Sequence, residues 1–214
     1  MPKRIIMTGE SGKPDENTVL LLHFDGNFKD ECGNAVTSNN AVLTTDGRFT
    51  GGVMFGANSY LTFSNDAELH RLLESGVFTL ECWVKPDTLL GEGIIFAIWE
   101  NATNSGLIQT GYTTWLNWGD YLAIYGYQPF VSGNNSLTVG QFNHFAIVGD
   151  GVSTKYYTHG MIRMDAPKMP VDNYKNNPFT LGKSIQSMQG VISEFRVSNV
   201  ARWTSNFTPP TKPY

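Results

Sequence analysis

"FNHFAIVGDGVSTKYYTHGMIRM" occupies residues 142–164, and its reading decides the fold. Asp150-Gly151 stands between two runs rich in Val, Ile, Phe and Tyr. Such runs fit a pleated, half-buried surface. An Asp-Gly pair between them predicts a tight antiparallel hairpin, because both central residues of the favoured turn need positive φ.

Working outward, the same grammar repeats. "VLLLHF" (19–24), "VMF" (53–55), "SYLTF" (59–63), "VFTLECWVK" (77–85), "IIFAIW" (94–99), "GLIQT" (106–110) and "YLAIYGY" (121–127) precede the hairpin. "TLG" (180–182) and "GVISEFRVS" (190–198) follow it. Clusters of Gly, Asn, Asp and Pro separate these runs, the punctuation expected between strands. Within 77–85, Phe78, Leu80, Cys82 and Val84 alternate with Thr79, Glu81, Trp83 and Lys85, the period of a strand. Only "NDAELHRLLE" (65–74) has a helical period, with Asn65 as its cap and Glu68 three residues on. About a dozen strands and one or two short helices predict an all-β jelly-roll or sandwich.

Residues 1–17, "MPKRIIMTGESGKPDEN", hold Gly, Pro, Ser and both signs of charge, with no sustained period. They read either as an extended N-terminal arm that anchors the chain, with Ile5, Ile6 and Met7 as a small apolar hook, or as a loose terminus. Residues 18–214 read as one domain.

Composition excludes several functions. The net charge is −4, and no basic run exceeds Lys3-Arg4. A nucleic-acid partner would require clustered Lys and Arg. The longest apolar run, Ile94–Trp99, is far short of the ~18 residues that a spanning helix needs. Ile5-Ile6-Met7 is too short for the apolar core of a signal peptide. Cys32 and Cys82 have no metal-binding spacing. Cys82 reads as a small buried residue in a strand, with a Cys32–Cys82 disulfide as the alternative.

Catalytic constellations are missing. A retaining glucanase needs two carboxylates on one sheet face, and no E-x-D-x-(x)-E run occurs. Glu81 and Glu194 stand singly in their strands. The histidines at 23, 70, 144 and 159 are scattered, and there is no G-x-S-x-G. A non-enzymatic protein is expected. Glu194 and Arg196, two apart, share a face and read as a structural pair, with a ligand contact as the alternative. His144 shares a face with Phe142 and Ala146 and reads as a core histidine.

"LLLHFDGNFKDECGN" (20–34) resembles the opening strand and turn of laminin G-like domains of the concanavalin A-like superfamily. "VMFGANSYLTF" (53–63), "FTLECWVKP" (78–86), "QFNHFAIVGDGVSTKYYTHG" (141–160) and "FTLGKSI" (179–185) resemble its later segments in order. The closing "GVISEFRVSNVARWTSNFTPPTKPY" (190–214) resembles the family's last segment, and its "ARWTSNFTPP" (201–210) resembles the version found in bacteriophage virion proteins. The resemblance implies a concanavalin A-like jelly-roll sandwich of two antiparallel sheets, with strands 19–24 and 190–197 as neighbours. It implies a virion protein, assembled in the host cytoplasm: a tail tip, tail fibre or capsid decoration, oligomeric or lattice-bound. Its partners would be other virion proteins, reached through the arm, and host-surface glycans. The alternative is a carbohydrate-binding module of a bacterial surface or secreted protein. No cofactor is implied beyond calcium at Asp25, Asp30 and Asn34. There Ser193 replaces the family's late aspartate, and the competing reading is a polar turn bonded to its own backbone.

"GYTTWLNWGDYLAIYGYQPF" (111–130) is dense in rings. Tyr121, Ala123, Tyr125 and Tyr127 share one strand face, and Leu122 and Ile124 share the other. Trp115 and Trp118 fall in "TTWLNWGD", which reads as a loop. Tyr and Trp offer sugars an apolar plane and a polar handle. Trp115, Trp118, Tyr121, Tyr127 and Tyr112 are the candidate glycan or protein contacts, Tyr125 is expected to pack, and Trp115 is expected to be more exposed than Trp118. The competing reading has the rings filling the sandwich or a loop's own small core.

Overall fold

A computed structural model describes residues 12–88, 93–98, 113–117, 121–125, 133–134, 137–168, 178–182 and 188–214. In chain order the elements are β1 (Thr18–Leu22), β2 (Val36–Asn39), β3 (Val42–Thr44), β4 (Gly52–Phe55), β5 (Tyr60–Phe63), α1 (Asp66–Ser75), β6 (Val77–Pro86), β7 (Gly93–Ile94) and β8 (Phe96–Ile98). They continue with β9 (Thr113–Asn117), β10 (Tyr121–Tyr125), β11 (Gly133–Asn134), β12 (Asn143–Asp150), β13 (Ser153–Thr158), β14 (Met161–Pro167), β15 (Phe179–Leu181) and β16 (Gly190–Ser198). The stretch 106–110, expected to be a strand, lies outside the described residues.

One antiparallel sheet runs β14-β13-β12-β6-β16-β4-β3, with β1 also pairing β16. The ladder β2-β5-β15-β8 opposes it across the core, and a further ladder, β11-β10-β9-β7, follows in the chain from β7, one residue before β8. The first and last strands are neighbours as expected, with Leu21 opposite Arg196 and Leu22 opposite Phe195. The jelly-roll sandwich predicted from the strand pattern is therefore the fold.

The core lies between the layers. Phe78, Leu80, Cys82 and Val84 of β6 meet Phe145 and Ile147 of β12, Phe195 and Val197 of β16, and Phe63, Phe96 and Phe179 from the other layer. Phe96 stacks on Phe179 at 5.8 Å between centroids. Each side chain so removed from water contributes about 1.5–3 kcal/mol. Both cysteines are free, Cys82 inside this core and Cys32 exposed, so the disulfide alternative does not form.

The decisive hairpin forms with its turn one residue later than expected. Gly149 pairs with Thr154, which leaves Gly151 and Val152 at the tip. Gly151 has φ +89°, the geometry of a turn led by glycine. Asp150 caps it by accepting from the N–H groups of Val152 and Ser153.

α1 forms as read, but Asn65 does not cap it through its side chain. Its amide donates to the Val19 carbonyl instead, and Asp66 accepts from the Phe179 N–H. Tertiary partners outbid the local cap. Gly76, left-handed, closes the helix by donating to Leu73 O.

The outward face of the large sheet is also covered. The segment after β16 crosses it, burying Ala146, Val148 and Tyr157 beneath Trp203 and Phe207. Trp203 and Phe207 stack at 4.0 Å with 8° between their planes. The Phe207 N–H donates to Gly160 O, while Phe207 O would lie 1.9 Å from a Cβ at position 160. Of the expected arm, residues 12–17 lie on their own domain rather than reaching only for a neighbour. Asp15 accepts from both terminal nitrogens of Arg202, and Gly12 O meets His23. Residues 1–11 lie outside the described residues.

Candidate functional site

The expected aromatic site falls on β9 and β10. Trp115 belongs to a strand, not to a loop: β9 pairs with β10 over its whole length. Trp115 stands opposite Ala123 and Asn117 opposite Tyr121. Directly paired residues belong to the same side of an antiparallel ladder, and residues two apart return to it. Trp115, Tyr121 and Tyr125 therefore form one alternating set, which Ile94 of β7 and Asn134 of β11 extend across the ladder. Leu116, Leu122 and Ile124 form the other set. Thr113–Asn117 has only five residues in which to show a period, so the strand leaves no clear signal in the sequence. Tyr112, Trp118 and Tyr127 lie outside the described residues.

The acidic turn is built around Asp30. Its Oδ1 accepts from the N–H groups of Leu21 and Cys32, at 2.7 and 3.1 Å. Its Oδ2 accepts from the backbone N–H and side-chain amide of Asn34, at 2.9 and 2.6 Å. Four donors thus occupy the carboxylate, and the Asn34 amide also donates to Val19 O. Asp25 accepts from Asn27. This is the geometry of the polar turn, in which Asp30 joins the turn to β1. Asp30 and Asn34 would have to give up these bonds to hold calcium, which takes six to eight oxygen ligands. Among the described residues no group of three His, Cys, Asp or Glu side chains is arranged to hold a metal ion.

Glu81, Glu194, His23 and His144 are buried polar groups on the strands of the large sheet and just after β1. β16 carries one extra residue between Ser193 and Arg196, and Glu194 takes φ +56° there. That bulge sends the two charges to different partners, correcting the expectation that they pair side by side. Arg196 donates to Glu81 Oε1 through Nε and Nη2, at 3.0 and 2.6 Å. Glu194 Oε2 lies 2.7 Å from His23 Nδ1. His144 Nε2 lies 3.1 Å from the Tyr214 hydroxyl and 3.4 Å from Glu81 Oε2. The Arg196 guanidinium also sits over the Tyr214 ring at 4.3 Å. Burial opposes ionisation of Glu81, yet His144 and Arg196 together hold it below the usual carboxylate range. Sequence could show these residues but not the bulge that sorts them.

A family model described as the concanavalin A-like lectin/glucanases superfamily matches residues 55–205. The chain belongs to that superfamily. It is similar in fold to domain 4 of AbnA, an extracellular arabinanase from Geobacillus stearothermophilus, solved in complex with arabinotriose. That match has 20% identity and a TM-score of 0.64 over 86% of this chain and 93% of that one. The receptor-binding domain of botulinum neurotoxin C/D mosaic serotype matches at 13% identity and TM-score 0.63, over 87% of this chain and 49% of that one. Trypanosoma rangeli sialidase matches at 16% identity and TM-score 0.64, over 90% of this chain and 32% of that one. The chain thus spans about half of the toxin chain and a third of the sialidase chain. No curated protein matches it.

Proposed function

We propose that this protein is a non-enzymatic carbohydrate-binding domain and that it serves as an adhesion or structural component of a bacteriophage particle. The observation that carries the binding role is the register that sets Trp115 beside Tyr121 and Tyr125 in one alternating set of the β9–β10 ladder. Aromatic rings with polar edges suit pyranose and furanose faces. A similar fold that holds arabinotriose adds support. A non-enzymatic role is supported by Glu81 and Glu194, whose described partners are structural and which are fully buried. The particle setting rests on the terminal segment Ala201–Tyr214, which resembles that of phage virion proteins. In that setting the residues before Gly12 reach neighbouring virion proteins, and the copies are oligomeric or lattice-bound.

The test has two arms. The full chain is screened against bacterial surface polysaccharides and arabinan fragments by titration calorimetry, together with Trp115→Ala and Trp118→Ala. Retained melting temperature with at least a tenfold loss of affinity, about 1.4 kcal/mol, is the expected result for Trp115→Ala. A loss of stability of about 3–5 kcal/mol instead would make the ring part of the core and end the reading. Release of reducing ends from any polysaccharide would overturn the non-enzymatic role. Mass spectrometry of purified particles tests the setting, and absence of the protein would leave the carbohydrate-binding module of a bacterial surface or secreted protein in its place.

A further inference from the structure

His23 is buried just after β1, and each of its ring nitrogens faces an acceptor. Nδ1 lies 2.7 Å from Glu194 Oε2, and Nε2 lies 3.0 Å from the Gly12 carbonyl oxygen. A neutral imidazole carries one N–H and can satisfy only one of them; the imidazolium satisfies both. Glu194 Oε2 also accepts from the Tyr214 N–H at 3.2 Å. A single buried carboxylate therefore ties together the strand β16 that carries it, the segment before β1 and the segment after β16. Gly12 packs so closely that a Cβ there would fall 1.6 Å from Tyr214 O.

We propose that His23 is a proton-operated clasp: protonated, it holds Gly12 against the domain, and on losing its Nε2 proton it releases the chain before Asp15. The remaining anchor does not respond in this range. Asp15 is bound by Arg202, and that hydrogen bond holds its carboxyl far below the usual carboxylate range. The segment Gly12–Pro14 would swing about Asp15 rather than detach.

Other charges near the site favour the same assignment. Burial works against the imidazolium, but the hydrogen bond and charge of Glu194, the Gly12 carbonyl and the charge of Asp25 outweigh it and raise the His23 pKa. Arg196, the cation nearest on β16, is committed to Glu81 and to the Tyr214 ring. With the folded value raised above about 6.5, the clasp is closed below that pH and opens as pH rises through the raised value. When the proton leaves, Nδ1–H stays with the carboxylate, and the Nε2 lone pair then faces the Gly12 oxygen without a donor between them.

Nuclear magnetic resonance of the full chain tests this. The His23 ring nitrogens should both be protonated near about pH 6, and Nε2 alone should lose its proton on the alkaline side. Backbone order parameters at Gly12 and Lys13 should fall with the same midpoint, from about 0.85 to below about 0.6, while Asn17 stays ordered. His23→Gln should show the disordered values at both pH extremes. Gly12→Ala, which leaves the buried charges intact, should lower the His23 midpoint because the Nε2 acceptor is displaced. A His23 transition with unchanged order at Gly12, an Nε2 that is never protonated, or an unchanged midpoint in Gly12→Ala would each overturn the proposal.

Discussion

At the scale of single residues, the covered face of the large sheet depends on charges largely removed from water. Glu81 is satisfied by Arg196 from an adjacent strand and lies near His144 and the Trp203 indole. Removing one partner of a buried pair leaves the other uncompensated, at a cost of about 3–5 kcal/mol. Arg196→Leu should therefore destabilise the domain by about that amount in urea denaturation, and Glu81→Gln/Arg196→Leu together should recover part of the loss. Cys32 presents a different residue-scale expectation. Burial, the Asp30 charge and the Asp30 contact push its thiol up to about 12. Although exposed, it should react with iodoacetamide at mildly alkaline pH more slowly than a free thiol, since the thiolate is the nucleophile. Alkylation at the rate of a model peptide would contradict the geometry around the Asp30 turn.

At the scale of elements, the segment after β16 acts as a cover, which the outer face of a jelly-roll does not require. Thr79 donates to Val200 O and accepts from the Arg202 N–H, while Tyr157 donates to Trp203 O. These bonds guide an irregular chain across a buried sheet face. Phe207→Ala should cost about 3 kcal/mol, the low end for removing a packed ring. Gly160→Ala should cost more than about 1 kcal/mol, because φ is +74° and the new methyl would meet Phe207 O. Thermal unfolding of the two variants checks both values. A tail that could be changed without effect on melting would have to sit elsewhere.

At the scale of the whole molecule, stability should form a plateau over pH with two distinct edges. Glu81, Asp15 and Asp150 have folded values below their ordinary ones. Their contribution is present above the ordinary carboxylate range and lost as pH falls through the depressed values. His23 and Lys155 have raised values, so their contribution is full below the ordinary values and lost as pH rises through the raised ones. Denaturation midpoints should therefore fall on both sides, and His23→Gln should flatten the first part of the alkaline fall. A wild-type midpoint that keeps rising past pH 9 or so would contradict the sign assigned to His23.

Alternation and turn chemistry alone determined the fold class. The period-2 run of residues 77–85, the Asp-Gly hairpin and the sole helical period each match an element, because side-chain periodicity is imposed locally by the backbone. The pairing of β1 with β16 came from resemblance, since contacts between distant strands leave no local trace. Four features were decided only by tertiary structure. β9 is too short to show a period and exists through its register with β10. Asn65 gives up its cap for Val19 O. The extra residue at Glu194 breaks the alternation that would have placed it beside Arg196. The burial of Glu81 and His144 depends on a tail of mixed polarity that has no period of its own. In each case a partner far away in the chain supplies the deciding free energy, and a partner's position is not written in the residues that await it.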